Sequence, residues 1–413
     1  MNKKVMELKT VEVWDGNMAN SQALRQADVD VVAAYPITPS TATVENYAMF
    51  HANGYIDGEV MMTESEHAAM SACVGAGAAG GRVATATSSQ GLALMIEVLY
   101  QASGMRIPVV LCLVNRALAA PLNVNGDHSD LYLTRDSGWI SLDAFNPQQA
   151  YDMTLMSFKI SEHPDVRLPV ISNQDGFMTS HTAQNVTPLP DEVASKFVGD
   201  YLQVNALLNF DKPVTHGVQT EQDWHFEHKA KQHAALMGSK KVILDVFKEF
   251  KELTGREYKL VETYNMENAD IAIVCLGTTY ETAMLAIEQL KAEGINAGVV
   301  APRVFRPFPL EEMAEALQGV KAIACMDRSA PGGTVGTLFN EISGALINTP
   351  NRPLVSNLIY GLGGRDMTVA LLKDIYRTLD KEAKEGKLSG KIQRFVGVRG
   401  PELAFYNAQG VQK

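Results

Sequence analysis

The sequence predicts an α/β protein with two doubly wound parallel-sheet domains, and three observations lead to this prediction. Short apolar segments alternate with helical patterns from residue 20 to about 185. This alternation breaks between about 186 and 265, and it resumes from 266 to 385. Apolar strands that alternate with helices of about 10–15 residues are typical of a parallel sheet covered by helices on both faces.

The first domain, together with a connector over about 186–265, is predicted to occupy residues 1–260. Its strands are expected in the apolar runs DVDVVAAY, GEVMMT, RVATAT, IPVVLCLV and RLPVIS. Helices are expected in ESEHAAMSACVGAGAA, QGLALMIEVLYQAS and NPQQAYDMTLMSFKISE. After the first run, Pro36 and Pro39 each remove a backbone donor, so YPITPS is predicted to be a stiff loop.

The second domain is predicted over residues 266–385. Its strands are expected in ADIAIVCLGTT, INAGVVAPRVF, VKAIACMDRS and PLVSNLIYGL, with helical patterns between them. The connector before it ends in a predicted helix, SKKVILDVFKEFKELTG. Residues 386–413 form a C-terminal tail with too little periodicity to fold alone. Its apolar side chains suggest that it lies across another surface, such as another subunit: Phe395, Leu403, Phe405 and Tyr406.

Composition and charge argue against several classes of protein. With 413 residues, of which 46% are apolar and 20% charged, the chain can bury a sizeable core. The formal net charge of -11 argues against a nucleic-acid partner, since such binding needs clustered Lys and Arg. No uninterrupted apolar stretch reaches the ~20 residues that span a bilayer, and the N-terminus lacks an apolar signal segment. A cytoplasmic protein without a membrane partner is therefore predicted.

The cysteines and histidines predict no metal or iron–sulfur site in this chain. The cysteines stand far apart without a C-x-x-C pair and are predicted to be buried thiols: Cys73, Cys112, Cys275 and Cys325. The grouping HFEHKAKQH (His225, His228 and His233) lies in a charged stretch that is typical of a linker or a surface helix. The loop of residues 123–139 also carries metal-ligand residue types, which there favour a self-bonded loop that lines a pocket: Asp127, His128, Asp130 and Asp136.

The segment GAGAAG matches G-x-G-x-x-G at Gly75, Gly77 and Gly80, but its surroundings argue against a dinucleotide site. That fingerprint needs a strand before the glycines and a helix after them, because the pyrophosphate rests on the helix N-terminus. Here a helical pattern precedes the glycines and the strand RVATAT follows. The small residues are therefore predicted to form a close-packed helix end.

Polar side chains follow the predicted strands of the first domain where each strand ends. In open α/β sheets, ligands collect beyond the carboxyl ends of the strands, so these side chains are expected on one rim: Thr38, Glu64, Glu66, Ser88, Ser89, Gln90, Asn115, Arg116, Asn173, Gln174 and Asp175. Strand-end loops are polar in any case, which leaves a structural interpretation open. Arg116 is harder to explain that way, because it stands between VVLCLV and ALAAPL and needs an anion.

A series of ordered motifs carries a family resemblance: YPITPST, ESEHAAM, TSSQGLALM, NRALAAPLNVNGDHSD, QDGFMTSH, PRVFRPFP and MDRSAPGG. With these motifs the chain resembles the alpha subunit of pyruvate:ferredoxin oxidoreductase, within the thiamin-diphosphate-dependent 2-oxoacid:ferredoxin oxidoreductases. The resemblance is weakest in 190–265 and in the tail. It implies a pyrimidine-type thiamin-diphosphate-binding domain followed by a transketolase C-terminal-like domain.

The resemblance also implies a reaction. A 2-oxoacid and coenzyme A become an acyl-CoA and CO2, and the electrons leave through iron–sulfur clusters to ferredoxin or flavodoxin. Pyruvate is the expected substrate, with acetyl-CoA as product, and 2-oxoglutarate or an aromatic 2-oxoacid is the alternative.

The implied assembly contains beta, gamma and delta-type partner subunits. Thiamin diphosphate is shared with a partner, and Mg²⁺ and the 4Fe–4S clusters belong to the partners. The absence of a Gly-Asp-Gly diphosphate motif from this sequence agrees with that division. The chain alone is therefore expected to be inactive.

Matched motif by motif, the resemblance implies a role for each of several residues. Glu66 in ESEHAA is expected to hydrogen-bond N1′ of the cofactor's aminopyrimidine, and Glu64 is the rival two residues earlier. Thr38 in YPITPS is expected to contact the substrate, and Arg116 in NRALAAP to bind its carboxylate. Further cofactor contacts are implied for Pro36, Ile37, Ser89 and Gln90, and further substrate contacts for Asn125 and Asp127.

Two points stay open from the sequence. Other members of the family carry bulkier residues at the positions of Val124 and Asn125, so the size of the accepted substrate is undecided. A scaffolding subunit would not need Glu66 or Arg116, and a nucleotide-dependent oxidoreductase would need the glycine segment to contact phosphate. Both remain alternatives to the thiamin-dependent function.

Overall fold

The structure is a computed structural model that describes residues 10–399, where two large β-sheets are covered by helices. The strands are β1 (Glu12–Trp14), β2 (Val31–Ala34), β3 (Glu59–Met62), β4 (Val83–Thr87), β5 (Val110–Val114), β6 (Ile140–Ala144), β7 (Val170–Gln174), β8 (Gln184–Val186), β9 (Val261–Tyr264), β10 (Ile271–Val274), β11 (Ala297–Pro302), β12 (Val304–Arg306), β13 (Ala322–Asp327), β14 (Leu354–Ile359) and β15 (Gln393–Phe395). The α-helices are α1 (Gly16–Gln26), α2 (Thr41–Ala52), α3 (Glu66–Ala79), α4 (Ser89–Gly104), α5 (Ser129–Leu133), α6 (Pro147–Ser161), α7 (Asp191–Val198), α8 (Gln222–Thr254), α9 (Thr279–Leu290), α10 (Leu310–Ala316), α11 (Thr337–Leu346) and α12 (Val369–Glu385). Short 3-10 turns lie at Lys291–Glu293 and Leu362–Gly364.

The first sheet, counted over the described residues, has seven strands in the order β12-β6-β7-β5-β4-β2-β3. Strands β2 to β7 are parallel to their neighbours, whereas β12 pairs antiparallel with β6. The central strands β4, β5 and β7 are buried at every residue, because helices cover both faces of the sheet. This is the doubly wound arrangement that the alternating pattern predicted.

The second sheet, counted over the same part of the chain, has six strands in the order β15-β14-β13-β10-β11-β9. All are parallel to their neighbours except β9, which runs antiparallel to β11. Strand β9 lies in the predicted connector and β15 in the predicted tail, so the sheet extends beyond the predicted bounds of 266 and 385. Of the tail residues singled out from the sequence, Phe395 is in β15, while Leu403, Phe405 and Tyr406 lie outside the described residues.

Strand β6 was not predicted, because its sequence ISLDA mixes polar with apolar residues. It is nevertheless buried throughout. Its Asp143 accepts hydrogen bonds from Asn173 Nδ2 at 2.5 Å and from Gly277 N at 2.8 Å. A buried polar group is tolerated where partners satisfy it, and here one of the partners comes from the second domain.

The two domains share structure through β12. This strand follows β11 directly in the chain, yet it pairs with β6 at the edge of the first sheet, with Val304 opposite Leu142 and Arg306 opposite Ser141. The first sheet is therefore completed by a segment of the second domain.

The connector contains a helix longer than the sequence predicted. Helix α8 spans 33 residues, ends at Gly255 in the left-handed conformation (φ 79°), and carries His225, His228 and His233 on exposed positions. Its buried apolar side chains lie in the second half, where the predicted helix begins: Val242, Ile243, Val246, Phe247 and Phe250.

The cysteines are buried free thiols, as predicted: Cys73, Cys112, Cys275 and Cys325. Burial raises the pKa of Cys73 and of Cys112 to about 12, which keeps both as neutral thiols.

Within residues 10–399, no group of three His, Cys, Asp or Glu side chains could hold a metal ion. Over the same residues, no helix is both long enough and apolar enough to span a membrane.

The glycine segment GAGAAG forms the end of α3, which stops at Gly80 (φ 121°) before β4 begins. Gly77 allows the close packing expected there, since an added Cβ would lie 2.6 Å from Ile107 Cγ2. A helix precedes the glycines and a strand follows, which is the reverse of a dinucleotide fingerprint.

Candidate active site

The carboxyl ends of β2, β3, β4 and β5 meet at one edge of the first sheet, because these strands are parallel neighbours. The segments that follow them carry most of the predicted site residues: Pro36, Ile37, Thr38, Glu66, Ser89, Gln90 and Arg116. This edge is called the rim below.

Glu66 is the first residue of α3, and its side chain is buried at the rim. Ser65 caps the helix by accepting a hydrogen bond from Ala68 N at 3.2 Å, which orders the first turn. Glu66 is 7% exposed and packs against Gly91, where an added Cβ would lie 2.7 Å from Glu66 Oε1. Its rival Glu64 is exposed. Of the two carboxylates, Glu66 is the one enclosed by the rim.

Unpaired hydroxyl groups lie beside Glu66. No partner among the described residues satisfies Thr87 Oγ1 or Ser88 Oγ, although both atoms are buried. An added Cβ at Gly91 would lie 2.4 Å from Thr87 Oγ1, so this hydroxyl and the Glu66 carboxylate border the same small space. Buried polar groups normally have partners, so this space has spare hydrogen-bonding capacity. An aminopyrimidine carries both donors and acceptors, and the residues therefore fit that end of thiamin diphosphate.

Arg116 is buried, and two carbonyl groups hold its guanidinium. Nη1 donates to Thr38 O at 3.0 Å, and Nε donates to Asn123 O at 3.1 Å. Asp130 accepts a hydrogen bond from the backbone N of Arg116 at 2.9 Å, but across residues 10–399 no acidic side chain forms an ion pair with the guanidinium. A buried cation held by neutral carbonyls remains uncompensated, which suits the binding of a carboxylate.

The YPITPS segment is a loop, as predicted, and it ends where α2 begins. Asn17 Nδ2 donates to Pro39 O at 3.0 Å and fixes the end of the loop. Pro39 is buried, whereas Pro36 and Thr38 are exposed and Ile37 is partly exposed. Thr38 therefore lies at the open side of the rim, while its carbonyl contacts the buried arginine.

Asp130 joins the strand ends behind the rim. Its Oδ2 accepts hydrogen bonds from Ser89 N and Arg116 N at 2.9 Å each, and its Oδ1 accepts one from Asn115 Nδ2 at 2.9 Å. Burial raises the pKa of Asp130 to about 7, against the opposing effect of these donors. The Ser89 hydroxyl lies 2.6 Å from Gln90 Oε1, so it already has a partner within the chain. The cofactor contacts of Ser89 and Gln90 stay predictions.

The loop after Arg116 exposes Asn125 and buries Asp127. Asp127 Oδ1 accepts from Ser129 N at 3.0 Å, and Oδ2 accepts from Gly363 N at 3.2 Å. The bond from Ser129 is that of a self-bonded loop, the interpretation that the sequence favoured, whereas the bond from Gly363 ties the loop to the second domain. The substrate contacts of Asn125 and Asp127 stay predictions.

Asp175 follows β7 at the same edge of the sheet but turns toward the second domain. Its carboxylate lies 2.7 Å from His128 Nε2 and 3.2 Å from Arg328 Nη1, and it accepts from Thr278 N at 2.9 Å. Arg328 and His128 hold the pKa of Asp175 well below its usual range, although burial acts in the opposite direction. The sequence placed Asp175 on the ligand rim, because nothing near it in the chain shows that its partners come from another domain.

The sequence of this chain is similar to those of known 2-oxoacid oxidoreductase subunits. A family model described as "Pyruvate flavodoxin/ferredoxin oxidoreductase, thiamine diP-bdg" matches residues 22–248, and one described as "Pyruvate:ferredoxin oxidoreductase core domain II" matches residues 269–372. The chain is 44% identical over 384 residues to pyruvate synthase subunit PorA of Thermotoga maritima, covering 93% of this chain and 97% of that protein. It is 42% identical over 383 residues to ketoisovalerate oxidoreductase subunit VorA of Pyrococcus horikoshii, covering 92% and 97%.

Solved structures show the same fold at lower identity. A 2-oxoglutarate:ferredoxin oxidoreductase from Magnetococcus marinus matches with a TM-score of 0.70 and 21% identity, over 90% of this chain and 66% of that one. A split-gene transketolase matches with a TM-score of 0.50 and 14% identity, over 90% of this chain and 96% of that one. These two likenesses confirm the predicted α/β class, and the family models and relatives confirm the resemblance drawn from the motifs. The chain belongs to the thiamin-diphosphate-dependent pyruvate (2-oxoacid):ferredoxin oxidoreductase family.

Proposed function

We propose that this chain supplies the aminopyrimidine side of a thiamin diphosphate site in a multi-subunit 2-oxoacid:ferredoxin oxidoreductase. The observation that carries the proposal is the buried Glu66 carboxylate beside the unpaired hydroxyls of Thr87 and Ser88. When bound, thiamin diphosphate supplies the carbon nucleophile and the electron sink that decarboxylation of a 2-oxoacid requires.

Glu66, Arg116 and Thr38 at the rim each have a separate role in binding or catalysis. Glu66 would accept a hydrogen bond from N1′–H of the aminopyrimidine and so favour the imino form of that ring, in which N1′ carries the proton and the exocyclic nitrogen can act as a base. Arg116 binds the carboxylate of the 2-oxoacid with the donors that its carbonyl partners leave free. Thr38 lies next to Arg116 and directs its hydroxyl to the substrate.

Partner subunits complete the site. The sequence contains no Gly-Asp-Gly diphosphate motif, and its cysteines are buried thiols, so Mg²⁺ and the 4Fe–4S clusters belong to beta, gamma and delta-type partners. Coenzyme A is the acyl acceptor, and ferredoxin or flavodoxin takes the electrons through the complex.

Pyruvate is the proposed substrate, since the relative at 44% identity is a pyruvate synthase subunit. A branched 2-oxoacid is the second candidate, because a ketoisovalerate oxidoreductase subunit is 42% identical. Val124 and Asn125, the residues at which the sequence left the size of the accepted substrate open, are exposed in the loop after Arg116.

The test compares the isolated chain with the assembled complex, both purified anaerobically. Each receives thiamin diphosphate, Mg²⁺, coenzyme A, a viologen acceptor and one 2-oxoacid at a time: pyruvate, 2-oxoisovalerate, 2-oxoglutarate or phenylpyruvate. We expect CO2 release from the complex alone, with the highest kcat/KM for pyruvate. Sustained turnover by the isolated chain would contradict the shared site, and a complex inactive on every 2-oxoacid would overturn the proposed function.

A further inference from the structure

A glycine-containing turn of the second domain contacts the loop that follows Arg116. In this turn, Leu362–Gly364, Gly363 N donates to Asp127 Oδ2 at 3.2 Å. In the opposite direction, Asn123 Nδ2 donates to Gly363 O at 3.1 Å. The loop is therefore tied to the second domain at two points on either side of Asn125.

The same loop holds the guanidinium of Arg116. Asn123 O accepts from Arg116 Nε at 3.1 Å, and Asn125 O accepts from Ala117 N at 3.0 Å. The position of the Asn123 carbonyl thus depends on the loop backbone, and the loop backbone depends on the turn. A continuous set of contacts connects Gly363 of the second domain to Arg116 at the rim.

The turn needs glycine for two independent reasons. Gly363 and Gly364 have φ values of 57° and 80°, where side chains other than glycine are strained. An added Cβ at Gly364 would also lie 2.4 Å from Asn125 Cβ, which is too close for any real contact. Any side chain at this position must move the loop or the turn, because the atom it meets is the Cβ of Asn125, which a change of rotamer cannot move aside.

We propose that the turn Leu362–Gly364 is a positioning element for substrate binding, which acts through the Asn123–Asp127 loop on the orientation of Arg116. The inference rests on the proposed function, since Arg116 is the carboxylate ligand there. It assigns the second domain a part in substrate recognition through the backbone of this turn. Displacing the loop should weaken the hold on Arg116 Nε and so lower substrate affinity.

The experiment introduces Gly364→Ala into the assembled complex. We expect the KM for the preferred 2-oxoacid to rise about tenfold, as for the loss of one hydrogen bond to a charged group, while kcat and thiamin diphosphate affinity change little. Asn125→Gly removes the Cβ that the new methyl group meets. Since Asn125 is itself a predicted substrate contact, the KM of the double variant is compared with that of Asn125→Gly alone, and adding Gly364→Ala should then raise it little. Rescue of this kind is not expected if the variant merely weakens the fold.

Gly319→Ala is the matched control. Gly319 has nearly the same backbone conformation (φ 83°), but nothing lies within 4 Å of its added Cβ, so it reproduces the strain without the contact. Asn123→Ala is a second variant, which removes the tie to Gly363 O without adding an atom to the turn, and it should raise KM in the same direction. If the wild-type complex is active and neither Gly364→Ala nor Asn123→Ala raises KM, the inference is wrong while the proposed function stands. A wild-type complex inactive on 2-oxoacids would overturn both.

Discussion

Two polar clusters lie at the carboxyl edge of the first sheet, and they differ in how much bonding capacity they have left. The closed cluster consists of Asp175, His128, Arg328 and Thr278, where each charged group faces a partner within 3.2 Å. The open cluster is formed by Glu66, Thr87, Ser88 and Arg116, where hydroxyls lack partners and the arginine lacks an anion among the described residues.

The remaining bonding capacity distinguishes a structural cluster from a candidate ligand site more clearly than the types of residue do. Both clusters contain a buried carboxylate and a buried arginine, so composition alone cannot tell them apart. In the closed cluster the carboxylate and the arginine compensate each other across the domain boundary. In the open cluster the compensation has to come from molecules that are not part of this chain. The predictions below test that distinction in order of decreasing effect.

The largest effect is expected from Asp175→Asn, which breaks the closed cluster. The change leaves Arg328 and His128 buried without their anion, and removing one partner of a buried ion pair costs about 3–5 kcal/mol. Urea unfolding of the isolated chain measures the loss. Asp136→Asn is the control, because its pair with Arg135 is exposed (69% for Asp136) and should contribute about 0.2–1 kcal/mol. Equal effects of the two changes would contradict the distinction.

The open cluster should respond in activity and not in stability. Glu66→Gln removes the charge that the aminopyrimidine requires, and losing one aimed electrostatic contact in a dry site lowers kcat by about 10²–10³. The unfolding free energy should stay constant or rise, since Glu66 has no partner among the described residues to lose. Steady-state kinetics on the assembled complex decide this. Glu64→Gln is the control, and a crippled Glu64 variant beside an active Glu66 variant would move the assignment by two residues.

Arg116→Ala should raise KM for the 2-oxoacid by about 10- to 100-fold, the equivalent of a charge-assisted hydrogen bond. Arg116→Lys should fall between Ala and wild type in kcat/KM, because lysine keeps the charge but not the planar fork. Thiamin diphosphate affinity, followed by protein fluorescence, should not change. An unaltered KM together with a lower melting temperature would make Arg116 a structural residue.

The smallest effect is a pH dependence of stability that comes from His128. Burial lowers its pKa, but the charge and hydrogen bond of Asp175 outweigh burial and the repulsion from Arg328, so the folded pKa is raised. A raised pKa means that the stabilisation is complete below about pH 6.5 and is lost as pH rises through the folded value. Asp175, with its lowered pKa, changes only in acid, as pH falls below about 3.9.

The measurement is the unfolding free energy between pH 6 and 9. One proton changes it by at most about 1.4 kcal/mol per pH unit. Asp143, whose pKa burial raises to about 6, adds a slope of the same sign at lower pH, so the quantity to compare is wild type minus His128→Asn. Identical slopes for the two proteins would show that folding does not raise the pKa of His128.

Much of the fold could be predicted because burial on both faces demands continuous apolar runs, as in β5 and β7. Strand β6 was not predicted because Ser141 and Asp143 interrupt its apolar run. The hydrogen-bond partners of Asp143, which are Asn173 and Gly277, lie far along the chain. Strands β9 and β15 are short edge strands of four and three residues, whose state depends on pairing and not on a local pattern. Local sequence therefore predicts the centre of each sheet better than its edges.

Candidate site residues could be predicted from the sequence where their position directly after a strand was enough to single them out. Thr38, Glu66 and Arg116 each follow a strand end, and the motifs around them carry the family resemblance. The inward role of Asp130 and the interdomain role of Asp175 could not be predicted, because each depends on which donor packs against it. Thr87 was passed over as the last residue of an apolar strand, and only its missing partner reveals it.

The three residues of β12 also have a consequence for the order in which the chain can fold. Strand β6 ends at Ala144, but its edge partner begins only at Val304. At about 5–20 residues per second, translation leaves that edge uncovered for roughly 10–30 s. An uncovered strand edge is a template for pairing with other chains. Nascent or truncated chains that stop before residue 304 should therefore self-associate through β6. This tendency ends when β12 of the second domain has been made and pairs with β6.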